Sequence, residues 1–147
     1  MDTGFTPLYD KDSFIAIDKI ALKTCKLGSL ALIRRAAERS LVTLLKRWPS
    51  IKSIAVFCGT GNNGADGLVL ALLAKKIGMR VSVHLVGDGE SMGPEAQICK
   101  AECLKNEMTL LDADKFNGEC DAVVDAIFGV GLNREIEGAS SRAVSII

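Results

Sequence analysis

The spacing of apolar residues changes character partway along the chain. In residues 12–26, Phe14, Ile17, Ala21 and Cys25 recur at helical intervals, with Asp18, Lys19 and Lys23 on the other faces. This predicts an amphipathic helix. Gly28 supplies a stop in the left-handed conformation, and Ser29 can cap a second helix from about Leu30 to Trp48. The stripe of that helix is Leu30, Ile33, Ala37, Leu41, Leu44 and Trp48, and Pro49 ends it. Ser53–Cys58 (SIAVFC) then breaks the helical period with a short continuous apolar run, the pattern of a buried strand. A glycine-rich loop, Gly59–Gly67, precedes a helical run from Leu68 to Ile77 that Gly78 closes. Arg80–Val86 reads as a second strand, and Pro94 suits the first turn of a helix reaching about Asn106. Met108–Leu111 and Asp121–Phe128 read as third and fourth strands. A second loop, Gly129–Gly138, leads into a helix from Ser140 onward.

Strands alternating with helices of about ten residues imply βαβ units. The expected fold is α/β: a three-layer αβα, Rossmann-like sandwich with a mainly parallel sheet, preceded by two N-terminal helices. No Pro/Gly/Ser linker divides the chain, so residues 1–147 read as one domain. The sequence stops inside the last helix, at Ser145-Ile146-Ile147, with no strand after it. The domain is therefore expected to be incomplete at its C-terminal end. Folds of this kind bind ligands at the carboxyl ends of their strands, and both glycine loops follow strand ends.

Composition narrows the classes. Lys plus Arg and Asp plus Glu each number 18 in 147 residues, for a net charge of zero. Nucleic-acid binding by bulk charge is excluded, and no nucleic-acid partner is expected. No run of 18 apolar residues occurs, so no membrane span is expected. The opening MDTGFTPLYDKD is neither a secretory signal nor a transit peptide. Five cysteines without a CxxC argue against a disulfide framework or a zinc ribbon, and for a cytoplasmic protein with reduced thiols.

The first loop reads Gly59-Thr60-Gly61-Asn62-Asn63-Gly64-Ala65-Asp66-Gly67. GxGxxG between a strand and a helix suits close approach to a phosphate at a helix amino terminus. Asn62 and Asn63 add amide groups that can hydrogen-bond a ligand or give oxygen to a hard cation. Asp66 would repel a phosphate and better suits a hydroxyl or a ring proton. The bland alternative is a favourable first-turn acid. The second loop runs Gly129-Val130-Gly131-Leu132-Asn133-Arg134-Glu135 after Asp125. A carboxylate late in an apolar strand is costly unless it is paired, hydrogen-bonded or bound to a cation. The bland alternative for Asp125 is a backbone cap.

Together the loops resemble the YjeF amino-terminal domain family, the NAD(P)H-hydrate epimerases. The family's GxGNNGGDG stands here as GTGNNGADG, and its DAxxGTGL as DAIFGVGL. Asp18 and the segment Leu32-Ile33-Arg34-Arg35-Ala36-Ala37 sit where the family has its opening helices and LMExAG. The resemblance implies an isomerase that interconverts the R and S forms of hydrated NADH and NADPH in cofactor repair. It places substrate binding on Asn62, Asn63, Gly64, Ala65 and Asp66 and on Gly129 through Glu135. It places a potassium ion on Asn63 and Asp125. It implies a dehydratase partner, fused or separate. Inverting a carbon that bears a hydroxyl beside the ring nitrogen needs a proton donor and acceptor, for which Asp125 is the first candidate and Asp66 the second.

The sequence departs from the family pattern at Ala65 for Gly, Val130 for Thr, Arg34 for Glu and Ala37 for Gly, and it lacks the DxPSG motif. The competing functions are a non-catalytic binding or scaffold module of the same fold and an NAD-dependent oxidoreductase domain. Asp66 within the phosphate loop and the paired asparagines argue against the latter. His84 reads as structural, Cys99 and Cys103 as helix packing, and Cys58 as a small buried hydrophobe. Asp88 follows the second strand, where a dinucleotide enzyme would hold ribose hydroxyls, but its neighbours Gly87 and Gly89 suggest a turn instead. The stripes of the opening helices leave room for a homodimer.

Overall fold

The computed structural model describes residues 8–24 and 28–147. In chain order these form α1 (Lys11–Thr24), α2 (Ser29–Arg47), β1 (Ser53–Cys58), α3 (Asn62–Lys76), β2 (Arg80–Leu85), α4 (Pro94–Lys105), β3 (Leu110–Asp112), a 3₁₀ turn (Ala113–Lys115), β4 (Ala122–Ala126) and α5 (Gly138–Ile146). The sheet order is β3-β2-β1-β4, and every pair is parallel. All four strands that the apolar runs predict are present, with shifted bounds for β3 and β4. β1 is buried at all six positions because it lies inside the sheet and both of its faces are covered.

Successive crossovers through α3 and α4 step the chain from β1 to β2 to β3. The next connection returns across the sheet and places β4 on the other side of β1. The strand order therefore reverses between β1 and β4, which opens a crevice at their carboxyl ends. The loops after β1 and β4 meet there.

The main core lies under α2, α3 and α4. Ile33, Ala37 and Leu41 of α2 pack with Leu68, Ala71 and Leu72 of α3 and with Cys99 and Cys103 of α4. Gly67 brings α3 down onto the sheet: a Cβ there would lie 2.5 Å from Ala126 Cβ and 2.9 Å from Cys58 Sγ. The opposite face carries a smaller cluster of Ala55, Phe57, Val86, Ile127 and Ala143 of α5. His84 is buried within it, stacked on Phe57 at 4.9 Å and edge-on to Phe116 at 5.2 Å. Its Nε2 lies 3.1 Å from Ser82 Oγ. Burial lowers its pKa, and the contact with the Asp112 carbonyl opposes that only in part. His84 is structural, as its place in the strand predicts.

Several boundaries differ from the sequence expectation for identifiable reasons. Gly28 is extended (φ −66°, ψ 159°) rather than left-handed. Ser29 is the first helical residue and caps nothing. Its hydroxyl donates to Glu95 Oε1 at 2.6 Å and ties α2 to α4. Trp48 is 54% exposed because it falls just beyond the last turn of α2. β3 starts two residues late because Glu107 turns left-handed (φ 56°) and the Met108 N–H still serves the Cys103 carbonyl at the end of α4. β4 starts after Asp121 because that carboxylate is occupied elsewhere, accepting from Lys52 N–H, Ser53 N–H and Ser53 Oγ, each at 2.8 Å. Gly78 closes α3 with φ +88°, and Pro94 opens α4, both as predicted. Among the stripe residues of α1, Cys25 lies outside the described residues; Phe14 and Ile17 are largely exposed, and no described residue of α1 is buried.

Candidate functional site

A cavity of about 790 Å³ occupies the crevice at the strand ends. The loop after β1 lines it with Gly59, Thr60, Gly61, Asn62, Asn63 and Asp66. The loop after β4 contributes Phe128, Gly129, Val130, Gly131, Leu132, Asn133 and Arg134. The loop after β2 adds Gly87, Asp88 and Ser91, and α1 overhangs the opening with Phe14 and Asp18. The two motifs read separately in the sequence thus form one cavity.

Asn62–Gly67, expected within a loop, form the first turns of α3. Gly61 is the extended residue before the helix (φ −97°, ψ −165°), and its carbonyl receives the Ala65 N–H at 3.1 Å. The helix can start this early because Gly59 and Gly64 let two backbones touch. A Cβ on Gly64 would lie 1.8 Å from the Gly59 carbonyl oxygen, and one on Gly59 would lie 2.0 Å from the Ile127 carbonyl oxygen. These glycines are required by close approach, since neither has a positive φ. The N–H groups of the first turn have no partner within the helix and lie at the cavity wall, where an anion can meet them.

Asn63 joins the two loops. Its Nδ2 donates to the Phe128 carbonyl at 2.9 Å, and its side chain packs against Gly129. Among the described residues its Oδ1 accepts no hydrogen bond and is free for a ligand. Asp66 is half-buried at the cavity wall. Burial first, and the nearby Asp18 carboxylate second, push its pKa up to about 6. Asp66 therefore holds a proton over part of the near-neutral range, which the ordinary first-turn acid does not.

Asp125 is placed differently from the expectation. β4 pairs with β1 alone among the described strands, and Asp125 is exposed. Its Oδ1 accepts the Ile127 N–H at 2.9 Å, the backbone contact weighed as the bland alternative. It is not among the residues lining the cavity. Among the described residues its side chain is exposed and meets only the Ile127 N–H. Glu135 is also exposed and away from the lining. Gly64 and Ala65 are buried behind the wall and contribute backbone only. Arg134 lines the cavity and takes part in neither ion pair formed among the described residues.

Sequence reasoning did not assign Phe14, Thr60 or Ser91 to the site, and for Asp88 it set a turn ahead of a ribose-binding role. That turn is present: Asp88 accepts from Glu90 N–H at 3.0 Å and from Ser91 Oγ at 2.6 Å. Asp88 nonetheless lines the cavity. The position of Asp88 just after a strand was the available signal. The three buried cysteines are packing residues. Burial raises the thiol pKa of Cys58, Cys99 and Cys103, and Cys103 Sγ donates to the Leu68 carbonyl at 3.4 Å. Among the described residues no group of three His, Cys, Asp or Glu side chains could hold a metal. No helix among them is long and apolar enough to cross a membrane.

Comparison with known proteins agrees with this geometry. The bifunctional NAD(P)H-hydrate repair enzyme Nnr of Coxiella burnetii is 35% identical over 146 residues, which cover 97% of this chain and 29% of that protein. An NAD(P)H-hydrate epimerase of Legionella pneumophila (strain Corby) is 35% identical over 135 residues, covering 86% of this chain and 50% of that enzyme. The chain thus spans half or less of the length of these relatives. The crystal structure of yeast ynu0 superposes with a TM-score of 0.82 at 20% identity, covering 95% of this chain and 64% of the yeast chain, so the fold is shared. Residues 29–147 match the family described as YjeF-related protein N-terminus, and the chain belongs to that family.

Proposed function

We propose that the cavity binds hydrated NADH and NADPH and interconverts their R and S epimers. The observation that carries this reading is the Asn63 bridge, which joins the two glycine loops into one cavity with Asp66 in its wall. The cavity volume lies within the range of about 300–1,000 Å³ usual for small-molecule and cofactor sites. Relatives at 35% identity that carry the names epimerase and repair enzyme support the same reaction.

The first turn of α3 offers unpaired N–H groups to the pyrophosphate, and Arg134 offers a charge from the second loop. Asp66 is the acid. Protonated, it donates to the ring hydroxyl, which leaves as water. Water then adds to the other face of the ring, and the proton returns to Asp66. Asp125 is the second acid–base candidate, close in sequence to the second loop. A potassium ion, which family membership suggests, would be held by Asn63 Oδ1 and the Asp125 carboxylate oxygen that Ile127 leaves unused. It would supply fixed positive charge beside the loops. These are hard oxygen donors of the right chemistry, although two alone do not fill a coordination shell. A dehydratase, fused or separate, would consume one epimer in the cytoplasm. A second copy of the chain is the further partner expected.

The test couples purified hydrated NADH to a dehydratase that takes one epimer only. Addition of this protein should release the slow remaining fraction into NADH. Asp66→Asn, verified as folded, should lower that rate by about 10²–10⁴-fold. An unchanged rate in this variant removes Asp66 from the chemistry.

A further inference from the structure

We propose that Asp88 reads the adenosine ribose of the substrate and makes the site prefer hydrated NADH to hydrated NADPH. This inference rests on the reading of the cavity as a dinucleotide site.

Three observations place Asp88 there. First, it lines the same cavity as the glycine loop. Second, the loop that carries it is fastened to that loop. The Gly93 N–H donates to the Thr60 carbonyl at 2.9 Å, the Val86 N–H donates to the Cys58 carbonyl at 2.9 Å, and a Cβ on Gly87 would lie 3.4 Å from Thr60 Cγ2. Third, the sheet order puts β2 beside β1 on the side away from β4. A dinucleotide with its pyrophosphate at the start of α3 spans the crevice. One half then lies toward the β4 loop, with the other toward the end of β2. An acid at the end of the second strand is the general means of holding ribose hydroxyls in such sheets.

The carboxylate is set for that task. Ser91 Oγ and Glu90 N–H fix its orientation, and their hydrogen bonds, that from Ser91 first, hold its pKa below the ordinary value. Each oxygen takes one internal donor and keeps a lone pair for a ribose hydroxyl. A 2′-phosphate would instead meet a fixed negative charge. Lys100 acts on Asp88 through its charge, but its ammonium is bound to the Gly89 carbonyl at 3.1 Å and paired with Glu90 Oε1 at 3.0 Å, so that charge is shared with a second carboxylate.

The test measures binding of ADP-ribose and of 2′-phospho-ADP-ribose to the full chain by calorimetry, which needs no catalysis. ADP-ribose should bind about tenfold more tightly or better, the scale of a hydrogen bond to a charged group. Asp88→Asn should bring the two affinities to within about threefold of each other. Ser91→Ala, which loosens the turn but keeps the charge, should retain most of the preference. Equal wild-type affinities, an unchanged ratio in Asp88→Asn, an equal collapse in Ser91→Ala, or no binding of either probe would each overturn the proposal. The epimerase reading is judged separately by the coupled assay. Discrimination without epimerisation overturns that reading alone, and epimerisation without discrimination overturns this one alone.

Discussion

The two glycine loops line one cavity but are held there by different means. The loop after β1 is fixed by backbone packing: Gly59 lies against Ile127, Gly64 lies against Gly59, and α3 behind them is buried along most of its length. The loop after β4 is exposed from Gly129 through Glu135. It is held by the Asn63 hydrogen bond and by a turn in which the Leu132 N–H donates to the Gly129 carbonyl at 3.2 Å. Gly131 has nothing within 4 Å of an added Cβ. The same residue type therefore serves rigidity in one loop and adaptability in the other. A loop fixed by backbone packing thus faces an exposed loop across the cavity.

The sharpest break in that comparison is glycine to alanine. Gly64→Ala and Gly59→Ala place a methyl carbon against a backbone oxygen that cannot rotate away. Each should cost at least the upper end of the roughly 1–3 kcal/mol typical of overpacking, read as a lowered denaturation midpoint or as failure to fold. Gly131→Ala should stay within about 0.5 kcal/mol of wild type. A Gly131 cost as large as that of Gly64 would abolish the distinction.

Next in size is Asn63→Ala. It removes the tie between the loops at a stability cost of about 1 kcal/mol. It should reduce epimerisation far more than it reduces the melting temperature, because the second loop loses its anchor and the site an oxygen donor. Parallel losses would make Asn63 structural only.

Asp66 sharpens the account through pH. Its folded pKa is raised from 3.8 to about 6, so the folded state binds the proton more tightly than the unfolded state does. Its favourable contribution is complete below about pH 3.8 and lost as pH rises through 6. Asp66→Asn should therefore melt higher than wild type at pH 8 and show no such advantage at pH 4. Partial exposure of the group discounts the effect to on the order of 1 kcal/mol, about 2–4 °C. Wild-type epimerisation should also fall as pH rises above about 6. A difference in melting temperature that is independent of pH would contradict the assignment.

The smallest effect expected is that of Arg134→Ala in the exposed loop. It should raise KM by about threefold to tenfold with kcat nearly unchanged, the result of losing one partly solvated phosphate contact.

Much of this was legible in the residues. The apolar run of β1, Pro94 at the start of α4 and Gly78 at the end of α3 each act through local chemistry, and the structure follows them. That both glycine loops follow strand ends was also legible; that they meet depends on the strand order, which the structure supplies. Most of what was not legible depended on contacts distant in sequence. The early start of α3 at Asn62 needs Gly64 packed on Gly59. The hydroxyl of Ser29 goes to Glu95, 66 residues away. The hydrogen bond from the Ile127 N–H to Asp125 depends on the local backbone after β4, which the apolar pattern does not announce. Asp88 reads as a turn and is one; its place in the cavity comes from the fastening of its loop to Thr60.

The most direct test starts from a single purified epimer of hydrated NADH and follows appearance of the other by chiral separation, with the folded wild-type chain present or absent. The account predicts equilibration of the two epimers far above the spontaneous rate. A folded protein that leaves that rate unchanged would contradict the account and leave the fold as a binding module.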